Sequence, residues 1–191
     1  MGISNRLSRT VVAGLLLTFA SAVTADYAAG VKALRQHDYP SAFRELLPVA
    51  KAGDPRAQER IAALYRRGYG VKQDFTKAVA WDRRAAAQGS GSAAYNIGVH
   101  YREGLGVPKD EVAASDWFRT AARAGYIPAQ INLGLRYAAG RGVSEDPVRG
   151  YAWLHRAAMR GNRQAMRRRT ALGKSLSKAQ IEEAKKLAGK L

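Results

Sequence analysis

Three histidines, His37, His100 and His155, are the residues of this chain best suited to hold a metal or move a proton. They lie far apart, none has a partner at metal-ligand spacing, and the chain has no cysteine, so no zinc site is expected. Paired glycines at Gly68 and Gly70, Gly104 and Gly106, and Gly140 and Gly142 resemble fragments of a phosphate loop. No Gly-Lys-Ser/Thr ending follows them, however, and there is no Gly-x-Ser-x-Gly elbow and no repeated carboxylate pair. Ser90, Ser92 and Ser115 are left as isolated candidate nucleophiles. No catalytic residue, metal or cofactor is assigned, and the chain reads as a binding protein rather than an enzyme.

Binding chemistry is better represented. Arg160, Arg163, Arg167, Arg168, Arg169 and Lys174 form a basic run suited to a polyanion. No aromatic residue alternates with them for base stacking, so anionic envelope polymer or a lipid headgroup fits better than nucleic acid. The bland reading of the same run is a solvated, arginine-rich surface.

The elements that must position these residues follow from one period. Tyr65 to Val71, Tyr101 to Val107 and Tyr137 to Val143 are near-copies 36 residues apart, the mark of a solenoid whose units bury apolar faces only against neighbours. In each unit a first helix carries a stripe at i, i+4, i+5 and i+8: Ala57, Ile61, Ala62 and Tyr65; Ala93, Ile97, Gly98 and Tyr101; Ala129, Leu133, Gly134 and Tyr137. The first glycine after each tyrosine suits a left-handed helix end and the second a sharp return before Val71, Val107 or Val143, expected to plug the turn into the core. Asp74, Asp110 and Asp146 then stand where an acid caps the second helix, on which Trp81, Trp117 and Trp153 sit among alanines as core knobs.

Residues 26–56 carry Asp38, Ala42, Ala50 and Gly53 in the same phase without the glycine turn. They are a degenerate terminal unit with helices at about 27–36 and 41–52 joined by His37-Asp38-Tyr39-Pro40. Full units span 57–164. After Ala165 the pattern fails at Met166-Arg167-Arg168-Arg169, and residues 165–191 are a partial repeat plus a capping helix, begun by Ser177 with Gln180 and apolar at Ile181, Ala184, Leu187 and Ala188. The fold class expected is all-α, an α-solenoid of helix-turn-helix repeats with a 36-residue period.

Arg6 and Arg9, the apolar run Val11 to Val23 and the small residues at Val23-Thr24-Ala25 give residues 1–25 the pattern of a signal peptide cut after Ala25 or Ala22. The alternative, a membrane anchor, needs a run of about 20 apolar residues, longer than this one, which Thr18 and Ser21 interrupt. Cleavage takes away two arginines and no acid, lowering the net charge from +17 to +15. A periplasmic or secreted product is expected, without disulfides and with no transmembrane span.

The strings Ala-x-x-x-[Ile/Leu]-[Gly/Ala]-x-x-Tyr-x-x-Gly-x-Gly-Val-x-x-Asp and [Ala/Gly]-x-x-Trp-x-x-x-Ala-Ala-x-x-Gly resemble the Sel1-like repeat, a relative of the tetratricopeptide repeat with a longer loop between its helices. The resemblance covers about 26–164 and implies a right-handed superhelical scaffold that binds other proteins, often in envelope assembly, signalling or host contact. Some exported relatives carry a cysteine pair in every repeat, and some of those are associated with penicillin binding or hydrolysis. A hydrolase acting on cell-wall or beta-lactam substrates is thus the remote alternative, in a chain that lacks the cysteines. If first helices line the inner wall, as the resemblance implies, residues off the packing stripe form ladders 36 apart: Glu59, Tyr95 and Ile131; Ala63, Val99 and Leu135; Arg66, Arg102 and Ala138; with Arg60, Asn96 and Asn132 beside them. Tyr95, Val99, Arg102, Ile131, Leu135 and Arg66 are the concave-face candidates for a peptide or helix of a protein partner. Some of them also have a simpler reading, as core against the next repeat. His100, at the position of Leu64 and Arg136, is expected to be exposed.

Overall fold

A computed structural model describes residues 27–191, so the signal-peptide segment 1–25 lies outside the described residues. Those residues form ten helices and no strand, an all-α repeat fold. They divide into two compact units, one ending at Asp74 and the other running from Phe75 to Leu191. The first holds α1 (residues 27–35), α2 (Tyr39–Lys51) and α3 (Pro55–Arg67). The second holds α4 (Phe75–Ala87), α5 (Gly91–Glu103), α6 (Glu111–Arg123), α7 (Ile127–Ala139), α8 (Pro147–Met159), α9 (Arg163–Gly173) and α10 (Lys178–Ala188).

The repeat is metrical. First helices α3, α5 and α7 begin at Pro55, Gly91 and Ile127, second helices α4, α6 and α8 at Phe75, Glu111 and Pro147, and all six are 13 residues long. Each therefore rises about 20 Å. The first-helix caps recur as well: Asp54 accepts from the amides of Arg56 and Ala57, Ser90 from Ala93, and Asn162, opening α9, from Ala165. At the fourth such position, Tyr126 makes no side-chain cap, and its ring packs 5.3 Å from that of Tyr95. The second-helix caps expected at Asp110 and Asp146 form, Asp110 accepting from Val112 and Ala113 and Asp146 from Arg149.

Each turn closes on itself in the same way. The amides of Asp74, Asp110 and Asp146 donate to the carbonyls of Tyr65, Tyr101 and Tyr137, at 3.0, 2.9 and 2.8 Å. Both glycines of every turn are left-handed, with φ between 61° and 72°. The second does more than reverse the chain, because a Cβ there would run into backbone: Tyr39 and Pro40 at Gly70, Phe75 and Thr76 at Gly106, Glu111 at Gly142. The turn of one repeat is thus seated against the first residues of the second helix of the repeat before it. Val71, Val107 and Val143 are half-buried behind these contacts.

The first-helix stripe is core as expected, with Ala57, Ile61, Ala62, Ala93, Ile97, Ala129 and Leu133 fully buried. Gly98 lets α5 approach α6, where a Cβ would meet the Phe118 ring at 2.8 Å, and Gly134 does the same for α7 against Leu154 and the Gly150 carbonyl. Trp153 is buried and packs with Leu133 and Tyr137, whereas Trp117 is half-buried. After the last full repeat, α9 buries only Ala165, and α10 lies on α8, pairing Ala184 and Ala188 with Tyr151 and Ala152. The capping box of Ser177 and Gln180 starts α10.

The two glycines of a turn should respond differently to alanine. At Gly104 a Cβ finds Lys109 at 3.3 Å, so the cost is the left-handed backbone alone, about 1 kcal/mol. Gly106→Ala adds a clash with Thr76 N at 2.5 Å and should lose roughly 3 kcal/mol, with a lower midpoint in urea and an unchanged helical spectrum.

Candidate partner-binding surface

The ladder positions fall into two groups. Tyr95, Val99, Arg102 and Leu135 in the second unit and Arg66 in the first are half-buried, each presenting part of its side chain to solvent. Ile131 is not available: it is 5% exposed and packs with Leu154, Ala157 and Ala165. That corrects the expectation of an exposed isoleucine; the covering elements are the repeat's own second helix and the short helix that follows it. Leu135 borders the same cluster, and Tyr95 rests on Phe118 and Tyr126, so both serve the core with one side. The Asn132 side chain donates to the Tyr95 hydroxyl at 3.3 Å, tying successive first helices.

In the first unit the ladder lines a hollow. Arg60, Ala63 and Arg67 of α3 bound about 280 Å³ together with Leu34, His37 and the stacked rings of Tyr39 and Tyr69, whose centroids are 4.4 Å apart. Arg67 approaches the Tyr69 ring at 5.8 Å. His37, the only non-glycine residue at positive φ among those described, makes the tight link before α2 that replaces the glycine turn. Cations and ring faces in one recess suit a peptide that carries acids or aromatic groups.

His100 is 1% exposed, against the expectation of a surface position, and its repeat mates Leu64 and Arg136 are buried too. This position faces the turn of its own repeat or the helix start beside it, and each residue meets that place with different chemistry. His100 Nδ1 donates to the Leu105 carbonyl at 2.8 Å, which fixes the proton on that nitrogen, and the ring lies edge-on to Phe75. Arg136 donates from Nε to Ser115 Oγ at 2.6 Å and from Nη2 to the Glu111 carbonyl at 2.8 Å, and it pairs with the Glu111 carboxylate. Ser115 in turn donates to the Arg141 carbonyl, so one guanidinium clamps the start of α6 to the end of α7 and its turn. The signal for this network was present in the sequence as Ser115 and Arg136, but neither recurs in the other repeats.

Of the basic run, Arg160, Arg163, Arg167, Arg168 and Lys174 are exposed, and Arg160 donates to the Gly125 carbonyl. Arg169 is half-buried beside His155 Nδ1 at 3.2 Å. Burial and then the positive charge of Arg169 hold the His155 ring below the usual histidine range, so it sits there neutral. Among the described residues no cluster of His, Cys, Asp or Glu could hold a metal, and no helix is long and apolar enough to cross a membrane.

Comparison with known proteins agrees with this geometry. The Sel1 repeat model matches three times, at residues 55–90, 91–126 and 127–162, each starting where a first helix starts. Two solved structures cover much of the chain. A Sel1 repeat protein from Oxalobacter formigenes is 30% identical, with a TM-score of 0.69, over 73% of this chain and 57% of that one. A protective antigen present in uropathogenic Escherichia coli strains, displaying an SLR fold, is 35% identical, with a TM-score of 0.71, over 78% of this chain and 32% of that one. The chain thus spans less than two thirds of the length of each of these two relatives, 57% of one and 32% of the other. Cysteine rich protein B of Helicobacter pylori, 19% identical with a TM-score of 0.55 over 66% of this chain and 94% of its own, shares the fold. No curated protein matches the chain.

The Arg136 clamp makes a pH test. Arg136 holds the Glu111 carboxyl below the usual carboxylate range, chiefly by its hydrogen bond. A depressed carboxyl adds stability above its unfolded value of about 4.3 and loses it as the pH falls through the folded value. Melting temperature should therefore drop on acidification below about pH 4.3, and Glu111→Gln should flatten part of that drop. Arg136→Ala, which also strands Ser115, should cost about 2 kcal/mol at neutral pH by denaturant titration.

Proposed function

The chain belongs to the Sel1 repeat family, whose members generally mediate protein–protein interaction, and from that premise we propose that it is an exported scaffold of the cell envelope. Its partner contributes a peptide or helix that lies on first-helix residues within one unit, at Arg66 in the first or at Tyr95, Val99, Arg102 and Leu135 in the second. The observation that carries this reading is the recess of the first unit, where ladder residues Arg60 and Ala63 meet the stacked Tyr39 and Tyr69 rings in about 280 Å³ of open space. A first-helix surface supplied with ring faces and guanidinium groups offers a peptide both apolar contact and donors. The signal-like pattern of residues 1–25 supports a periplasmic or secreted location.

Photo-crosslinking residues placed at Ala63 and at Val99 should yield adducts with a common protein in the envelope fraction. The same group at Ala80 or Val112, exposed on the second helices, should yield none of that product. Equal adducts from all four sites would sink the ladder reading.

One observation favours a second reading. Residues 147–191 hold twelve Lys and Arg against Glu182 and Glu183, a net +10 out of the whole chain's +17. Such a local excess attracts an anionic polymer or lipid surface. Vesicles containing phosphatidylglycerol should retain the protein at low salt and release it steeply with added salt, and Arg163→Glu with Arg167→Glu should shift release to lower salt. Retention unchanged by either would remove this reading.

A further inference from the structure

We infer that the second unit carries a separate site, on the side of its second helices, for an acidic peptide segment with an apolar side chain. The site is a recess of about 490 Å³ to which Arg119 and Arg123 of α6, Arg149 of α8 and Leu187 of α10 all contribute. Its floor is apolar and aromatic: Tyr137, at the end of α7, and Trp153 of α8 are 7% and 2% exposed and belong to one core cluster. The floor is therefore fixed by the fold, while the arginines around it have freedom to move.

The three cations converge for structural reasons that leave them free to take a ligand. Arg149 lies over the Tyr137 ring at 5.2 Å, and Arg119 faces the hydroxyl of the same tyrosine. Arg119 is the repeat mate of Arg83, which donates to the Tyr101 hydroxyl at 2.8 Å, so the arginine-to-tyrosine link is part of the repeat. Arg119 and Arg149 also pair with Asp116 and Asp146, each three residues back on its own helix or cap. Those pairs are solvated, with the aspartates 58% and 35% exposed, and exposed pairs are worth little, so an incoming carboxylate displaces them cheaply. Arg123 is exposed at the rim.

The dimensions choose the ligand. Three guanidinium forks suit more than one carboxylate, and a lone inorganic anion would leave most of 490 Å³ and the exposed part of Leu187 unused. A segment such as Glu-Leu-Glu places one apolar side chain on the floor and its acids among the arginines. The excess positive charge of residues 147–191 steers it there. This site stands apart from the first-helix ladder, and neither reading needs the other.

The test titrates the full chain against a fluorescein-labelled octapeptide of sequence Gly-Glu-Glu-Leu-Glu-Glu-Leu-Gly, read by fluorescence anisotropy at physiological salt. Saturable binding is expected, lost on replacing the glutamates by glutamine and weakened at least tenfold by Arg123→Glu. Arg149→Ala should weaken it similarly. If that variant melts early because Tyr137 loses its cover, Arg123→Glu, at the rim, decides alone. Arg163→Glu with Arg167→Glu, outside the recess, should change affinity less than threefold. The site is overturned if the glutamine peptide binds equally, if the outside variant loses as much as Arg123→Glu, or if millimolar phosphate competes as well as unlabelled peptide.

Discussion

The structure depends on one close approach, that of the second glycine of each turn to the first residues of an earlier second helix. Gly142 against Glu111, Gly106 against Phe75 and Gly70 against Tyr39 leave no volume for a side chain, so backbone touches backbone. The contact is short-ranged and steep, unlike apolar burial, which tolerates shifts of an ångström. It holds the turns at one height relative to the helices they meet, and the aspartate amides that close on the tyrosine carbonyls keep each turn rigid enough to transmit that height. The six helices of the full repeats, all 13 residues long, are matched to that height.

Much of this was legible in the sequence because it repeats. The i, i+4, i+5, i+8 stripe, the two glycines and the aspartate caps each state a local rule that the chain obeys wherever it is written, and local rules survive folding. What the sequence concealed lay where neighbours decide. Ile131 has the phase of a surface residue on its own helix, and its burial is contributed by Leu154 and Ala157 of the second helix together with Ala165 of a helix outside the full repeats. His100 and Arg136 were harder still, since helical phase alone does not say that the turn beyond the helix curls back over that position. The recess at Arg119, Arg123 and Arg149 was missed because its cations come from two second helices and its far wall from α10, three pieces with no common motif.

The same contrast separates architecture from recognition. Alanine, glycine and tryptophan recur and make helices interlock, while positions that change from repeat to repeat answer local needs that differ between repeats. The set Leu64, His100 and Arg136 shows that variability by itself does not mark a surface: an apolar contact, an imidazole N–H donor and a guanidinium clamp all solve one buried problem. The fold is shared with a cysteine rich protein, yet this chain holds it with no cysteine, through backbone approach and side-chain clamps.

Tyr151 receives the last helix. Val79 and Ser115 are its repeat mates, and Ser115 is where the next turn is tied, through Arg141 and Arg136. At 151 the ring fills that berth instead, close enough that a Cβ on Gly173 would stand 3.1 Å from it, and α10 folds onto the ring through Ala184 and Ala188. One aromatic ring that does not recur in the other repeats thus serves as the seat of the last helix of the second unit.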